Sequence, residues 1–322
     1  MIAHQEPTEG LMPGPLQAFL EAQGFAMLDG GLATEMEARG ADLDHFLWSA
    51  RMLAERPELI RAVHLDYLAA GADILATATY QASFGGFGRA GYDRPQGEQL
   101  MRLSVDLAVA AREEFWLNTE SRQSRLRPLV AASVGPYGAC LHDGSEYHGN
   151  YVIARQDLRD FHRERLDVLA DTAADLFAFE TIPSRFEAEV LIDLLTDYPD
   201  RSAWLSFSCR DGDRVAHGEQ FAECAALADA SPQIVAVGVN CTAPRFIDAL
   251  LDSVAGLATP RVVYPNSGEY WIAQENRWVG DHCAGLEAAD WYRRGARLIG
   301  GCCRTGPDDI RRMRADLQEV LE

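Results

Sequence analysis

Three cysteines close apolar runs in this chain. Cys241 follows Ile234-Val235-Ala236-Val237-Gly238-Val239-Asn240, and the adjacent pair Cys302-Cys303 follows Ala296-Arg297-Leu298-Ile299-Gly300-Gly301. If both runs are parallel strands of one sheet, three thiolates converge at one end of it and leave a fourth position open on a tetrahedral ion such as zinc. Glycines before the pair permit the tight turns that a ligand cluster needs. Two other readings stay open at this point. The thiols could fill core, or Cys302 and Cys303 could form a strained vicinal disulfide, which a reducing compartment disfavours. Cys140, Cys209, Cys224 and Cys283 read as small apolar core residues.

A divalent ion held by three thiolates keeps a net negative charge, which makes it a poor activator of water compared with an ion on neutral histidines. It still removes the proton from a bound thiol, and the surrounding sulfurs keep that thiolate nucleophilic. Thiol alkylation is the chemistry to which this points.

Other groups would have to bring the reactants to the sulfurs. Asp29-Gly30-Gly31 ends the first apolar run, where Asp29 could take an ammonium group and the amides after it a carboxylate; a tight turn with an Asp cap would look the same. Glu180 follows the apolar Leu176-Phe177-Ala178-Phe179 and is expected in the mouth of the fold rather than at a helix cap. Tyr80 and Gln81 could cradle a cationic donor by ring-face and amide-dipole contacts, or pack the rim. Tyr270 and Trp271 share that ambiguity. His142 and His148 are expected to be solvated loop residues and His64 a structural one. Gly85-Gly86-Phe87-Gly88 follows no strand and is not a dinucleotide fingerprint.

The elements that must position these residues alternate short β-rich runs with helical periodicity. Runs at 25–28, 73–78, 129–134, 176–179, 203–208, 234–239, 261–264 and 297–299 predict eight strands. Between them, Pro57, Leu59, Ile60, Val63, Tyr67 and Gly71 mark one amphipathic helix. Near the end, Pro307 and Asp308-Asp309 open another, with Ile310, Met313, Leu317 and Leu321 on one face and Arg311, Arg312 and Arg314 toward water. The pattern predicts an α/β fold, a single-domain (β/α)8 barrel over 15–322 behind a loose tail at 1–14, though an open doubly wound sheet would give a similar string. Aperiodic segments at 138–154 and 267–290 are expected as rim loops beside the site.

Composition bounds the partners. With 322 residues and 48% apolar content the chain has ample core for one barrel, and its net charge of −20 disfavours nucleic acid or an anionic membrane surface as partner. A small-molecule substrate is expected. Seven scattered cysteines, no signal peptide and no apolar stretch of membrane length suggest a cytoplasmic protein.

Taken in order, Asp29-Gly30-Gly31, Thr79-Tyr80-Gln81-Ala82-Ser83, Ser133-Val134-Gly135-Pro136-Tyr137-Gly138, Asp143-Gly144-Ser145-Glu146-Tyr147, Phe179-Glu180-Thr181, Val239-Asn240-Cys241, Tyr264-Pro265-Asn266-Ser267-Gly268-Glu269 and Gly300-Gly301-Cys302-Cys303 resemble the homocysteine S-methyltransferase family along nearly the whole chain. The resemblance implies a zinc enzyme with Cys241, Cys302 and Cys303 as ligands, homocysteine as acceptor and methionine as product. Substrate-binding roles are expected for Asp29, Gly30, Gly31, Glu180, Tyr80, Gln81 and Asn240. Tyr80-Gln81 and the Asp-Gly-Ser-Glu-Tyr loop look like the branch that uses S-methylmethionine, with S-adenosylmethionine as a second donor; Gln81 departs from the betaine-using branch. The cobalamin, folate and activation modules of the large methionine synthases are not expected. A selenocysteine or related thiol methyltransferase, and a non-catalytic zinc or redox-sensing barrel, are the rival readings. Oligomeric state is not legible.

Overall fold

All eight apolar runs form parallel strands. The computed structural model describes residues 14–43, 47–272, 277–282 and 287–321, so the expected tail falls almost wholly outside the described residues. The strands are β1 (Ala26–Met27), β2 (Ile74–Ala76), β3 (Leu129–Val134), β4 (Leu176–Ile182), β5 (Ala203–Phe207), β6 (Ile234–Asn240), β7 (Arg261–Tyr264) and β10 (Ala296–Ile299), in the order β1-β10-β7-β6-β5-β4-β3-β2. Closure decides between barrel and open sheet. Leu28 bridges Ile74 in parallel, and the Asp29 amide donates to the Ile74 carbonyl at 3.1 Å while that of Asp73 donates to Met27 at 2.7 Å. The two ends of the sheet are thereby joined into a (β/α)8 barrel.

Because side chains alternate across a strand, each run is apolar on both faces, as a helix-covered parallel sheet requires. Ala26, Leu28, Ile74, Ala178, Trp204 and Leu298 pack inside the barrel, while Met27, Leu75, Phe177, Leu205, Val237 and Ile299 face the helix layer. The short helix Gln17–Gln23 ends at Gly24, whose φ of 77° suits glycine, and its Phe19 packs with the interior residues.

Helix Pro57–Ala70 begins and ends at the residues expected, with Gly71 at φ 119°. Helix Pro307–Leu321 departs from its pattern in two places. Leu321 is exposed, and Arg314 turns away from water to the start of β2, where its guanidinium meets Asp73 at 2.9 Å. The segment 267–290, expected to lack regular structure, contains an antiparallel hairpin of β8 (Tyr270–Ile272) and β9 (Arg277–Val279); the β-forming residues at its ends account for it. The side chains of Tyr270 and Trp271 and all of Cys283 lie outside the described residues. Segment 138–154 contains a short helix, Tyr137–Leu141, and a 3-10 turn, Ser145–Tyr147. No described helix is long and apolar enough to cross a membrane.

Candidate metal centre and substrate pocket

The three thiols that end β6 and follow β10 meet at the C-terminal mouth of the barrel. Cys241 Sγ lies 3.9 Å from Cys303 Sγ, and the ligand atoms of Cys241, Cys302 and Cys303 all lie within 4.8 Å of one another, the one such trio among the described residues. A tetrahedral zinc–thiolate site, with bonds of about 2.3 Å, needs sulfurs about 3.8 Å apart, so this donor set fits a zinc ion with little adjustment. Hydrogen bonds among the sulfurs act in both directions, the largest lowering Cys241 and Cys303 and raising Cys302, and with burial and the neighbouring sulfur charges the balance holds all three thiols well above their usual range. A cation in their midst would reverse that balance.

The local backbone explains why these residues converge. Cys241 itself adopts φ 47°, as Thr181 does at φ 60° and Arg304 at φ 65°, a region that disfavours side chains by about 1–2 kcal/mol. Asn240 offsets this from below: its Oδ1 accepts the Thr181 amide at 2.7 Å and its Nδ2 donates to the Thr181 hydroxyl at 2.8 Å. Its side chain therefore ties the ends of β4 and β6 together and does not line the cavity.

The two glycine pairs face each other. A Cβ on Gly31 would stand 2.6 Å from the Cys302 carbonyl oxygen, and one on Gly300 would stand 2.8 Å from that of Asp29. Both pairs exist because the ends of β1 and β10 approach too closely for any side chain. The Gly31 amide, a candidate donor to a substrate carboxylate, is bonded to the Thr305 carbonyl at 2.9 Å. Gly30 and Gly31 both border the cavity.

Beside the thiols opens a cavity of about 1140 Å³, beyond the ~300–1,000 Å³ usual for one small ligand. Two buried carboxylates stand in it. Asp29 accepts the Ala76 amide at 2.8 Å; burial, with Glu180 nearby, pushes its carboxyl well above the ordinary range. Glu180 takes hydrogen bonds from the Ser133 hydroxyl and, at 3.1 Å, from Tyr264, and burial raises it too. No cationic side chain among the described residues pairs with either. Tyr264 is held in turn by Trp204 Nε1 at 2.9 Å and the Ser206 hydroxyl at 2.5 Å.

Tyr80 and Gln81 line the same cavity. Arg165, fully buried, donates to the carbonyls of Gly135 at 2.8 Å and Tyr80 at 2.9 Å and so fastens this segment to β3. Gln81 donates to the Ala139 carbonyl at 2.9 Å, while its Oε1 is buried without a partner. Over them sits the turn Ser145–Tyr147, whose Glu146 lines the cavity. Glu146 Oε2 is also buried without a partner, and burial, followed by the Asp143 charge, pushes its carboxyl up to about 7.

The structure thus brings Asp29, Gly30, Gly31, Glu180, Tyr80, Gln81 and the three thiols to one cavity and sets Asn240 beneath it. Sequence reasoning gave no role to Ser133 and Tyr264, though both stand in recognised motifs, and overlooked Trp204. Their signal was available: each occupies an inward position on a barrel strand. Glu146 lay inside a recognised motif, but nothing in its spacing showed that it points inward. Cys209 and Cys224 are buried and Cys140 half-buried, in keeping with the core reading.

A family model described as homocysteine S-methyltransferase matches residues 26–317. The chain belongs to the homocysteine S-methyltransferase family. Among its relatives, homocysteine S-methyltransferase YbgG of Bacillus subtilis is 46% identical over 305 residues, 94% of this chain and 97% of that one. A selenocysteine Se-methyltransferase of Brassica oleracea is 46% identical over 90% of this chain and 88% of its own. In three dimensions, the metallated form of the homocysteine methyltransferase MmuM from Escherichia coli superposes with a TM-score of 0.84 at 46% identity, covering 94% of this chain and 99% of that one. The barrel and the family expected from the ordered motifs are both borne out.

Proposed function

We infer that this family member transfers a methyl group from a sulfonium donor, S-methylmethionine or S-adenosylmethionine, to homocysteine, giving methionine. One observation supports this above the rest: a thiol trio spaced for a single ion opens onto the same cavity as two buried carboxylates that have no cationic partner among the described residues. Cys241, Cys302 and Cys303 would hold zinc, which supplies the Lewis acidity that removes the proton from an incoming thiol at neutral pH.

The chain's own residues do the rest by placement. Asp29 and Glu180 receive the homocysteine ammonium, whose charge compensates two carboxylates that burial otherwise penalises. Gly30 offers its amide to the substrate carboxylate, while Asn240 holds the strand ends on which Cys241 and Glu180 stand. Tyr80 and Gln81 form the donor wall. The homocysteine sulfur then bonds to the methyl carbon as the donor's sulfur–carbon bond breaks, and the electron pair leaves on what becomes a neutral thioether. No general base is needed, and catalysis is orientation plus charge placement.

The similarity to a selenocysteine Se-methyltransferase supports a second acceptor, because a selenol would sit at the same thiols. A non-catalytic sensor would need neither the cavity nor the ammonium clamp. Free thiols of this kind suit a reducing compartment, which favours the cytoplasm. The test supplies reduced, zinc-loaded protein with homocysteine and, separately, S-methylmethionine, S-adenosylmethionine and betaine. Methionine is expected from a sulfonium donor and not from betaine; no product from any donor sinks the reading.

A further inference from the structure

The clamp for the acceptor uses two carboxylates and leaves a third unexplained. Asp29 and Glu180 act on each other, whereas Glu146 lines the same cavity from the turn Ser145–Tyr147, and its charge is felt by Tyr80 and by Cys241. Its Oε2 is buried and has no hydrogen-bond donor among the described residues, an arrangement that is costly unless a ligand completes it. The backbone that presents it is firmly held. Ser208 Oγ donates to the Glu146 carbonyl at 3.2 Å, the Ser145 amide donates to Asp143 at 3.0 Å, and Gly138 packs so closely that a Cβ there would stand 2.7 Å from the Glu146 nitrogen.

We propose that the Glu146 carboxylate is the counter-charge to the donor's sulfonium and distinguishes donor from demethylated product. This rests on the sulfonium-donor reading above. The transferable methyl must lie against the acceptor sulfur at the thiol trio, which puts the sulfonium sulfur one bond farther out. The donor's ammonium lies several bonds beyond that, and Glu146, which lines the same cavity as the thiols with one oxygen unpartnered, is the carboxylate left to meet the sulfonium. As the new sulfur–carbon bond forms, the donor's bond breaks and its positive charge vanishes with the departing electron pair; Glu146 neither gives nor takes a proton. The carboxylate therefore grips the charged reactant and loosens on the neutral product. Because the charge is already fading in the transition state, Glu146 contributes to donor binding more than to the chemical step.

Steady-state kinetics of zinc-loaded Glu146→Gln with S-methylmethionine test this, beside the wild type. The donor KM is expected to rise about tenfold to a hundredfold, the scale of a lost charged contact, with a smaller change in kcat and none in the homocysteine KM. Inhibition by methionine against the donor is expected to hold, since methionine lacks the transferable methyl and with it the sulfonium charge, and Glu146→Asp is expected to recover part of the loss. An unchanged donor KM overturns the proposal. So does equal weakening of donor and methionine, which is what a structural or ammonium-binding role would produce. A wild type that turns over no sulfonium donor removes the underlying reading, and this proposal with it.

Discussion

The two ends of the barrel treat buried carboxylates in opposite ways. At the start of the strands, fully buried Asp73 accepts from Arg125, Arg314 and Gln23 and from the Met27 amide, at 2.7–2.9 Å. Toward the ends of the strands, Asp29 and Glu180 are buried and Glu146 is half-buried, none has a cationic partner among the described residues, and all three are pushed above the usual carboxylate range. One end spends its polar groups on the fold and the other leaves them facing the cavity. The barrel separates these demands because strand starts are sealed by helix Gln17–Gln23, whereas strand ends open into loops.

The largest effect belongs to the thiols. Cys302→Ala should lower zinc content, measured by atomic absorption, and drop methionine formation about a thousandfold or more, the scale on which loss of an activating group falls. Full zinc content together with full activity would remove Cys302 from the site. Chelation of the wild type should give the same loss, reversed by added zinc.

Asp73→Ala makes the converse case. Leaving Arg125 and Arg314 buried without their carboxylate should destabilise the fold by about 3–5 kcal/mol in urea unfolding, with the homocysteine KM of the folded fraction unchanged. A shift in that KM would mean that the two ends are coupled.

His64 supplies a control between the ends. Both of its ring nitrogens are buried without partners among the described residues, and burial pushes the ring down to about 4. It shares the mouth's isolation, but no ligand reaches it. From about pH 6.5 down to that value the unfolded chain binds a proton that the folded chain refuses, so stability should fall with acidification by up to about 3 kcal/mol. His64→Leu should flatten that part of the stability–pH curve, and an unaltered slope would count against the assignment.

The mouth carboxylates should show the smallest effect on stability and a clear one on binding. Glu180→Gln is expected to raise the homocysteine KM about tenfold to a hundredfold while stabilising the ligand-free protein by about 1 kcal/mol, since an isolated buried charge is removed. If the variant is instead less stable, Glu180 belongs with Asp73 as a structural residue.

Much of this was legible in the residues. Eight apolar runs of strand length separated by helical periodicity specify a parallel sheet, because a strand covered on both sides must be apolar on both faces. Cysteines and carboxylates directly after those runs must lie at strand ends, so the thiol trio and the placement of Asp29 and Glu180 followed from chain position. Arg314 was misread because its spacing matches a solvent face, and only the packing of its helix against the start of β2 turns it inward. The hairpin at β8 and β9 was missed since its irregular flanks hide a short alternation.

Local sequence thus determined which residues end each strand, as strand and helix periods are written in the order of side chains. Closure was decided by tertiary structure: a hydrogen bond between β1 and β2 joins residues 45 positions apart from Asp29 to Ile74, a contact that no window of sequence contains. The orientation of Glu146 and the postponement of charge pairing at the mouth follow from that closure. A closed ring is what aims side chains from separate strands at one space, and so makes their lack of partners a feature of the site rather than of any one segment.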